Sequence, residues 1–370
     1  MRREGSPAPD RAVPAAPPRG LKGCPRPLTA HYDCAMLDLD GVVYVGEQPV
    51  TGAPEALATA RGRGMTVAFV TNNASRTPDA VAARLARLGV PAAPADVVTS
   101  AQAAAREVAD RVPPGASVLV VGAEGLVSAI RAVGLKPVDS SDNAPVAVVQ
   151  GFGPDVGWRQ LSEAAVAIRG GALWVASNTD LTVPTSRGLA PGNGAFVNAL
   201  AAAVGSAPQV VAGKPYRPLF DETLRRTGAR APLVVGDRLD TDIEGAANCG
   251  VDSLLVMTGV TDVATLVMAP PRHRPSYVSF TLQGLLSGHD APARVRGQWQ
   301  LAGWTASVVS GELRIGPLHR DEASATAPKV GLHPDDGLRV AAAAAWQWRD
   351  ENQGQELRCG DAISILNQLG

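Results

Sequence analysis

From Tyr32 onward, short apolar runs alternate with helix-length amphipathic stretches. Runs at 35–39 and 66–70 read as buried strands, and 52–63 and 78–88 as helices. Thr77 supplies an N-cap for the second helix, Pro78 its first position and Gly89 its stop. A second alternating stretch places strands at 117–121, 146–150 and 172–176, with helices at 100–111, 124–133, 157–169 and 195–204. The first pattern then resumes with an apolar run at 209–212, a helix at 219–227 and strands at 233–235 and 253–257. Alternation of this kind predicts a doubly wound, Rossmann-like parallel sheet, with ligands beyond the carboxyl ends of the strands. One α/β domain interrupted by another is the simplest account: an outer domain over 31–94 and 206–287, and an insert over 95–205.

The two ends of the chain break the pattern. Residues 1–30 are rich in Pro, Arg and Ala without an apolar signal core, and read as a disordered extension. Beyond Ser287 lie four of the six tryptophans, Trp299, Trp304, Trp346 and Trp348. A hairpin is predicted over 298–315, a helix over 335–350, and a strand then a helix over 357–369. Together they make a small, separate α+β module over 290–370, whose removal is expected to leave the chemistry of the rest intact.

Composition narrows the function. A formal charge of -1 gives no reason to expect nucleic acid or an anionic membrane as partner. Four scattered cysteines form no Cys-x-x-Cys pair and suit buried thiols in a reducing, cytoplasmic setting. No apolar run approaches the roughly 20 residues of a membrane span. None of the five histidines falls between Tyr32 and Arg272, so chemistry in that stretch belongs to carboxylates and lysine.

Four polar groups each close an apolar run: Asp38 and Asp40, Thr71-Asn72, Lys214, and Gly236-Asp237 through Asp242. Taken singly, each has a plainer explanation as a turn, a solvated loop lysine or an acidic helix start. A calcium loop at Asp38 lacks its later ligands, Gly213-Lys214-Pro215 lacks the earlier glycine of a P-loop, and Pro154 spoils a dinucleotide loop at Gly151-Phe152-Gly153. Together the four supply what phosphoryl transfer needs. Asp38, the carbonyl of Asp40 and Asp237 offer oxygens to Mg2+, while Thr71, Asn72 and Lys214 offer donors to a phosphoryl group. A protonated Asp40 beside an ionised Asp38 would provide an acid next to a nucleophile.

In this order the four groups resemble the motifs of the haloacid dehalogenase superfamily, in its phosphatase branch with a large α/β cap between the second and third motifs. Val70-Thr71-Asn72-Asn73-Ala74-Ser75 and Gly236-Asp237-Arg238-Leu239-Asp240-Thr241-Asp242-Ile243 are similar to the NagD-type subfamily, as are Ser177-Asn178-Thr179-Asp180 and Pro191-Gly192-Asn193-Gly194. The resemblance covers about residues 32–287. It implies Asp38 as nucleophile, Asp40 as acid then base, Thr71 and Lys214 on the phosphoryl group, Asp237 on Mg2+, and Asp242 supporting the metal waters or Lys214. Asp240 is expected to face solvent. Asn178, Asp180 and Arg187 on the cap are plausible contacts for the leaving group. Further likeness at Val98 to Gln102, Ala172 to Ala176 and Arg187 to Leu189, with the C-terminal extension, is to the subfamily's glycerol 3-phosphate phosphatases. It implies a small phosphorylated metabolite as substrate and a truncated GNAT-like fold for the extension. Pyridoxal phosphate or a nucleoside monophosphate is the alternative substrate, and would call for a ring slot at Trp158 or Trp174. An interaction module in the C-terminal region is the alternative of another class. Gln300 to Thr305 matches the GNAT pyrophosphate loop poorly, because it precedes a strand rather than a helix. Self-association stays open.

Overall fold

The computed structural model of the protein describes residues 20–185, 187–318 and 332–369. A six-stranded parallel sheet runs in the order Tyr277–Ser279, Asp252–Val256, Pro232–Gly236, Cys34–Leu37, Thr66–Thr71, Val97–Thr99. Cys34–Leu37 pairs with Thr66–Thr71 on one side and Pro232–Gly236 on the other, with Leu37 opposite both Phe69 and Val235. The chain reverses its direction of growth across this strand, and the crevice at such a switch point is where open α/β sheets bind ligands. All four residues of Cys34–Leu37 are buried, as expected of a strand covered on both faces.

A second parallel sheet carries the insert, in the order Val210–Val211, Leu173–Ala176, Ala147–Gln150, Ser117–Val121, Lys136–Val138. Both expected boundaries of the insert shift. Val97–Thr99 extends the first sheet, with Val98 opposite Val70, and Val210–Val211 joins the second, with Val210 opposite Val175. Runs of two or three apolar residues fit either sheet equally well, so periodicity does not assign them. The Ser100–Ala109 helix lies between the layers. Its Ala101, Ala103, Ala104 and Ala105 are fully buried in an apolar cluster holding Met36 and Val70 from one sheet with Val118 and Val149 from the other. Small side chains let both layers approach the helix closely.

Two expectations about the ends are corrected. Residues 1–19 lie outside the described residues, but the rest of the expected extension is docked. Cys24 exchanges two backbone hydrogen bonds with His289, Leu28 is fully buried, and Lys22 Nζ lies 2.6 Å from Asp252 Oδ1. The C-terminal region is an α+β unit, but it is not separate. Its sheet has four antiparallel strands, Ala293–Val295, Gln298–Leu301, Trp304–Val309 and Glu312–Pro317, where one hairpin was expected. Each turn is an X-Gly pair with both residues at positive φ, Arg296-Gly297, Ala302-Gly303 and Ser310-Gly311. That is the chemistry of two-residue hairpins. Gln300 to Thr305 is therefore one of these hairpins, with Leu301 opposite Trp304, and not a loop opening a helix.

The Pro334–Glu351 helix fills the space between this sheet and the six-stranded one. Leu338, Val340 and Trp346 share a cluster with Leu255, Val263, Leu266 and Val278 from the outer domain. The seam also carries polar ties. Trp346 donates to Leu266 O at 2.9 Å, and the buried Arg274 guanidinium donates to both carboxylate oxygens of Asp350 at 2.6 and 2.7 Å. Arg339 donates to His289 Nδ1 at 2.6 Å while His289 Nε2 donates to Gly284 O at 2.7 Å. Removing residues 288–370 would strip this seam and leave Arg274 without its carboxylate. Such a truncation should be insoluble or melt lower by about 10 °C or more, measured by thermal unfolding; a truncation with the parent's Tm would show two independent cores.

His289 gives the seam a pH dependence. Burial, reinforced by the Arg339 charge, lowers its pKa to about 4 from 6.5. The unfolded chain therefore takes up the proton first, so this contribution is complete above pH 6.5 and lost as pH falls toward 4. The loss amounts to about 3 kcal/mol. His289→Gln keeps an amide donor and acceptor without titrating. The fall in unfolding free energy between pH 6.5 and 4 should be correspondingly smaller in that variant.

Candidate active site

Asp38 and Asp40 follow the Cys34–Leu37 strand, and Asp237 follows Pro232–Gly236, so the first two acids and the last lie on adjacent strands. Between them comes Lys214, from the loop that returns from the cap. Its ammonium donates to Asp38 Oδ1 at 2.6 Å, to Asp242 Oδ1 at 2.7 Å and to Val70 O at 3.3 Å. Burial opposes the charge on Lys214, but Asp242 and Asp38 outweigh it and hold the pKa above the usual lysine range. Asp242 Oδ2 accepts from Arg238 N at 3.2 Å, and Asp237 Oδ2 accepts from Val260 N at 2.6 Å. Thus the sheet brings Asp38, Lys214, Asp237 and Asp242 together. Asp240 faces outward, as expected, and pairs there with Arg238.

The carboxylates fit a divalent cation. Oxygens of Asp38, Asp237 and Asp242 lie within 4.8 Å of one another. Three carboxylates against one ammonium leave two negative charges, the complement of one such ion. Asp237 Oδ1 is buried without a hydrogen-bond partner. Burial, with Asp242 and Asp38 adding repulsion, pushes Asp237 up, and burial also pushes Asp242 up against the pull of Lys214. Gly41 and Gly259 approach so closely that a Cβ on either would collide with the Asp237 carboxylate. Oxygen donors with room for waters suit Mg2+.

Asp40 is open to the cleft but crowded by protein, and this burial together with the charge of Asp38 raises its pKa to about 6. Thr71 lines the same cleft, its Oγ1 accepting from Asn73 N at 3.1 Å. Asn72 plays a different part from the one its position suggests. Its Oδ1 accepts from Lys214 N at 2.7 Å, and its Nδ2 donates to Asp180 at 3.1 Å and to Lys214 O at 3.1 Å. With the amide so engaged, the side chain positions the lysine loop and the cap instead of offering a free donor to a phosphoryl group.

The cap closes the other side. Asn178 Nδ2 donates to Asn72 O at 2.7 Å, and Asn178 and Asp180 both line the cleft. Burial raises the Asp180 pKa, against a hydrogen bond from Asn72. Arg187 does not line the cleft. It sits exposed at the turn of a hairpin, Thr182–Thr185 with Gly188–Pro191, whose near strand contributes Thr182, Val183 and Pro184 instead. Trp174 is buried in the cap core and Trp158 is 85 % exposed, so neither forms a ring slot. Phe152, Asn193, Arg238 and Thr241 also line the wall, and the sequence assigned none of them a role there. Phe152 lies two residues beyond the Ala147–Gln150 strand and Asn193 opens the Asn193–Val204 helix, so elements of the cap bring both to the cleft.

Comparison with known proteins agrees with this geometry. Residues 35–136 match the haloacid dehalogenase-like hydrolase family, and 211–285 match a second, HAD-hydrolase-like description. The D-glycerol 3-phosphate phosphatase of Mycobacterium tuberculosis is 46% identical over 326 residues, 87% of this chain and 88% of its own. This chain belongs to the haloacid dehalogenase-like hydrolases. A 5′-nucleotidase of Bacillus subtilis is 38% identical over 232 residues, 62% of this chain and 89% of its own. Among solved structures, the glycerol phosphate phosphatase from Mycobacterium tuberculosis in complex with magnesium superposes with a TM-score of 0.81 at 42% identity, covering 93% of this chain and 99% of that one. A p-nitrophenyl phosphatase from Archaeoglobus fulgidus gives 0.64 at 30% identity, covering 69% and 98%. The relatives are phosphatases, and this hydrolase is one as well.

Lys214→Met tests the charge balance apart from turnover. In the cation-free hydrolase it leaves buried carboxylates without their ammonium and should cost about 3–5 kcal/mol in chemical denaturation. A variant as stable as the parent would mean that the acids are neutralised in some other way.

Proposed function

We propose that this hydrolase is a Mg2+-dependent phosphomonoesterase of glycerol 3-phosphate, acting through an aspartyl-phosphate on Asp38. The observation that carries the reading is the Lys214 ammonium bonded at once to Asp38 and Asp242, with Asp237 beside them. Asp38 and Asp237, with the carbonyl of Asp40, would hold the ion. When bound, it supplies positive charge against the phosphoryl oxygens and the carboxylates.

The residues divide the work between two half-reactions. A carboxylate oxygen of Asp38 attacks phosphorus, the ester P–O bond breaks, and Asp40 gives its proton to the departing alkoxide. Water then attacks the phosphorus of the acyl phosphate, Asp40 takes the proton back, and the bond to Asp38 breaks to release phosphate. Thr71 offers its hydroxyl to the phosphoryl oxygens through both steps, while Lys214, bonded to Asp38, Asp242 and Val70 O, keeps Asp38 aimed and sets a positive charge beside the phosphoryl group. A pKa near 6 lets Asp40 serve as acid in one half and base in the other.

Size and polarity favour glycerol 3-phosphate over the bulkier alternatives. The cleft measures about 160 Å3, below the roughly 300–1,000 Å3 typical of drug-sized ligands. Its cap side presents Asn178, Asp180 and Asn193, a donor and acceptor set for hydroxyls, with Phe152 as its one aromatic ring. The Mycobacterium tuberculosis relative carries the same substrate in its name. Four free cysteines, three of them buried, accord with a reducing, cytoplasmic setting.

Asp38→Asn and Asp40→Asn should each lower kcat for glycerol 3-phosphate by about 10^3-fold or more with Tm preserved. EDTA should abolish turnover, and added Mg2+ should restore it. Phosphate release by Asp38→Asn at near the parent rate would point to direct attack by water and end the covalent reading.

A further inference from the structure

The cleft contains one cation that the phosphoryl chemistry leaves unused. Among the described residues lining it, the only cations are Lys214 and Arg238. The three donor directions of Lys214 are taken by Asp38, Asp242 and Val70 O. Arg238 differs. Its Nε donates to Asp240 Oδ1 at 3.1 Å and one Nη2 hydrogen to Asp240 Oδ2 at 2.8 Å. A guanidinium has five N–H donors, so three remain. The backbone beneath is fixed too, because Arg238 N donates to Asp242 Oδ2 at 3.2 Å. The side chain is thus oriented at two points by a residue that itself faces solvent.

Across the cleft from the cap comes Asp180. Its carboxylate is held by Asn72 Nδ2 at 3.1 and 3.3 Å and feels the Arg238 charge, as Arg238 feels that of Asp180. The two groups make no direct hydrogen bond. A carboxylate accepts and a guanidinium donates, and a hydroxyl does both, so one hydroxyl can satisfy them together. Such a hydroxyl would tie the cap to the outer domain through the substrate itself.

Resting on the phosphatase reading above, we propose that Arg238, oriented by Asp240, is a specificity-determining residue that reads a hydroxyl of the leaving group jointly with Asp180. The substrate class is a phosphate ester of a small polyol, the hydroxyl donating to Asp180 and accepting from Arg238. Asp240 is a positioning residue in this arrangement, acting only through the guanidinium. Leaving groups without hydroxyls would leave the spare Arg238 donors and the remaining Asp180 acceptor sites unsatisfied beneath a closed cap, which is how a polar site rejects an apolar analogue.

The test compares glycerol 3-phosphate with 4-nitrophenyl phosphate, an ester whose leaving group carries no alcohol, on the full chain with Mg2+. Arg238→Met should lower kcat/KM for glycerol 3-phosphate by about 10- to 100-fold, mostly through KM, and lower that for 4-nitrophenyl phosphate by no more than about threefold. Asp240→Asn keeps the arginine and its backbone contacts. It should narrow the preference by about three- to tenfold, again in KM and not kcat. Equal losses on both substrates would make Arg238 a phosphoryl contact or a structural residue and overturn the proposal, as would an unchanged preference in both variants. A parent enzyme that hydrolyses neither ester would overturn the phosphatase reading and this inference with it. One that hydrolyses 4-nitrophenyl phosphate but does not prefer glycerol 3-phosphate would overturn the inference and the choice of substrate while leaving the phosphatase chemistry standing.

Discussion

A buried ammonium held between the buried carboxylate of Asp242 and the half-buried one of Asp38 is the constraint on which the rest of the structure depends. Lys214 is 4 % exposed and Asp242 1 %, and groups so placed are destabilising unless their charges are matched at hydrogen-bond distance. Matching them requires Cys34–Leu37 to lie between Thr66–Thr71 and Pro232–Gly236, because Asp38, Val70 and the 237–242 segment all reach the lysine from those strands. The lysine itself arrives from far along the chain, from beyond the whole insert. The switch point of the sheet, the position of the insert and the charge balance are therefore one requirement seen from three sides. The residual negative charge follows as well. A site that sets three acids, two of them buried, against one lysine stays unbalanced until a divalent cation or a proton joins it.

Much of this was legible in the sequence, because the site residues sit where apolar runs stop. Asp38, Thr71 and Asp237 each end a buried strand, and a parallel sheet places all strand ends of one kind on one edge. Lys214 could be placed there only by its company, since a lysine before a proline carries no signal of burial. What the sequence hid was pairing. Val97–Thr99 and Val210–Val211 are too short for periodicity to choose between two sheets. Arg187 stands near other cap residues in sequence, but the hairpin between Thr182 and Pro191 carries it to an exposed tip. Asn72 looked like a phosphoryl donor because it follows Thr71, yet its amide is used up by Lys214 and Asp180.

The C-terminal region shows the same limit in another form. Leu338, Val340, Ala341, Ala342, Ala344, Ala345 and Trp346 occupy most of the circumference of the Pro334–Glu351 helix, and all are buried. A helix apolar on more than one side is packed between two layers. That signal was present in the alanine run, but alanine favours a helix wherever it lies and so suggests propensity before burial. The seam it fills explains why this unit accompanies the hydrolase as part of its core. Leu239 and Ile243, a few residues beyond Asp237, pack in the same cluster as Trp304 and Leu338. The segment carrying Asp237, Arg238 and Asp242 thus has the active site on one side and the C-terminal unit on the other.

Specificity in such a site cannot belong to the cap alone. The cap reaches the cleft through Asn178, Asp180 and Asn193, while Arg238 and Thr241 approach from the outer domain. Asn72 joins the two. Its carbonyl accepts from Asn178 Nδ2 at 2.7 Å and from Ser100 Oγ at 2.6 Å, and its side chain holds Asp180 and the Lys214 backbone. A shift of the cap relative to the sheet must break bonds to Asn72, and the same amide fixes the loop that carries the buried lysine. The leaving-group end and the phosphoryl end of the cleft therefore share one side chain. Whatever seats the cap on its substrate also sets the lysine against Asp38, so recognition of the alcohol and readiness of the nucleophile are coupled through a few hydrogen bonds at the end of one strand.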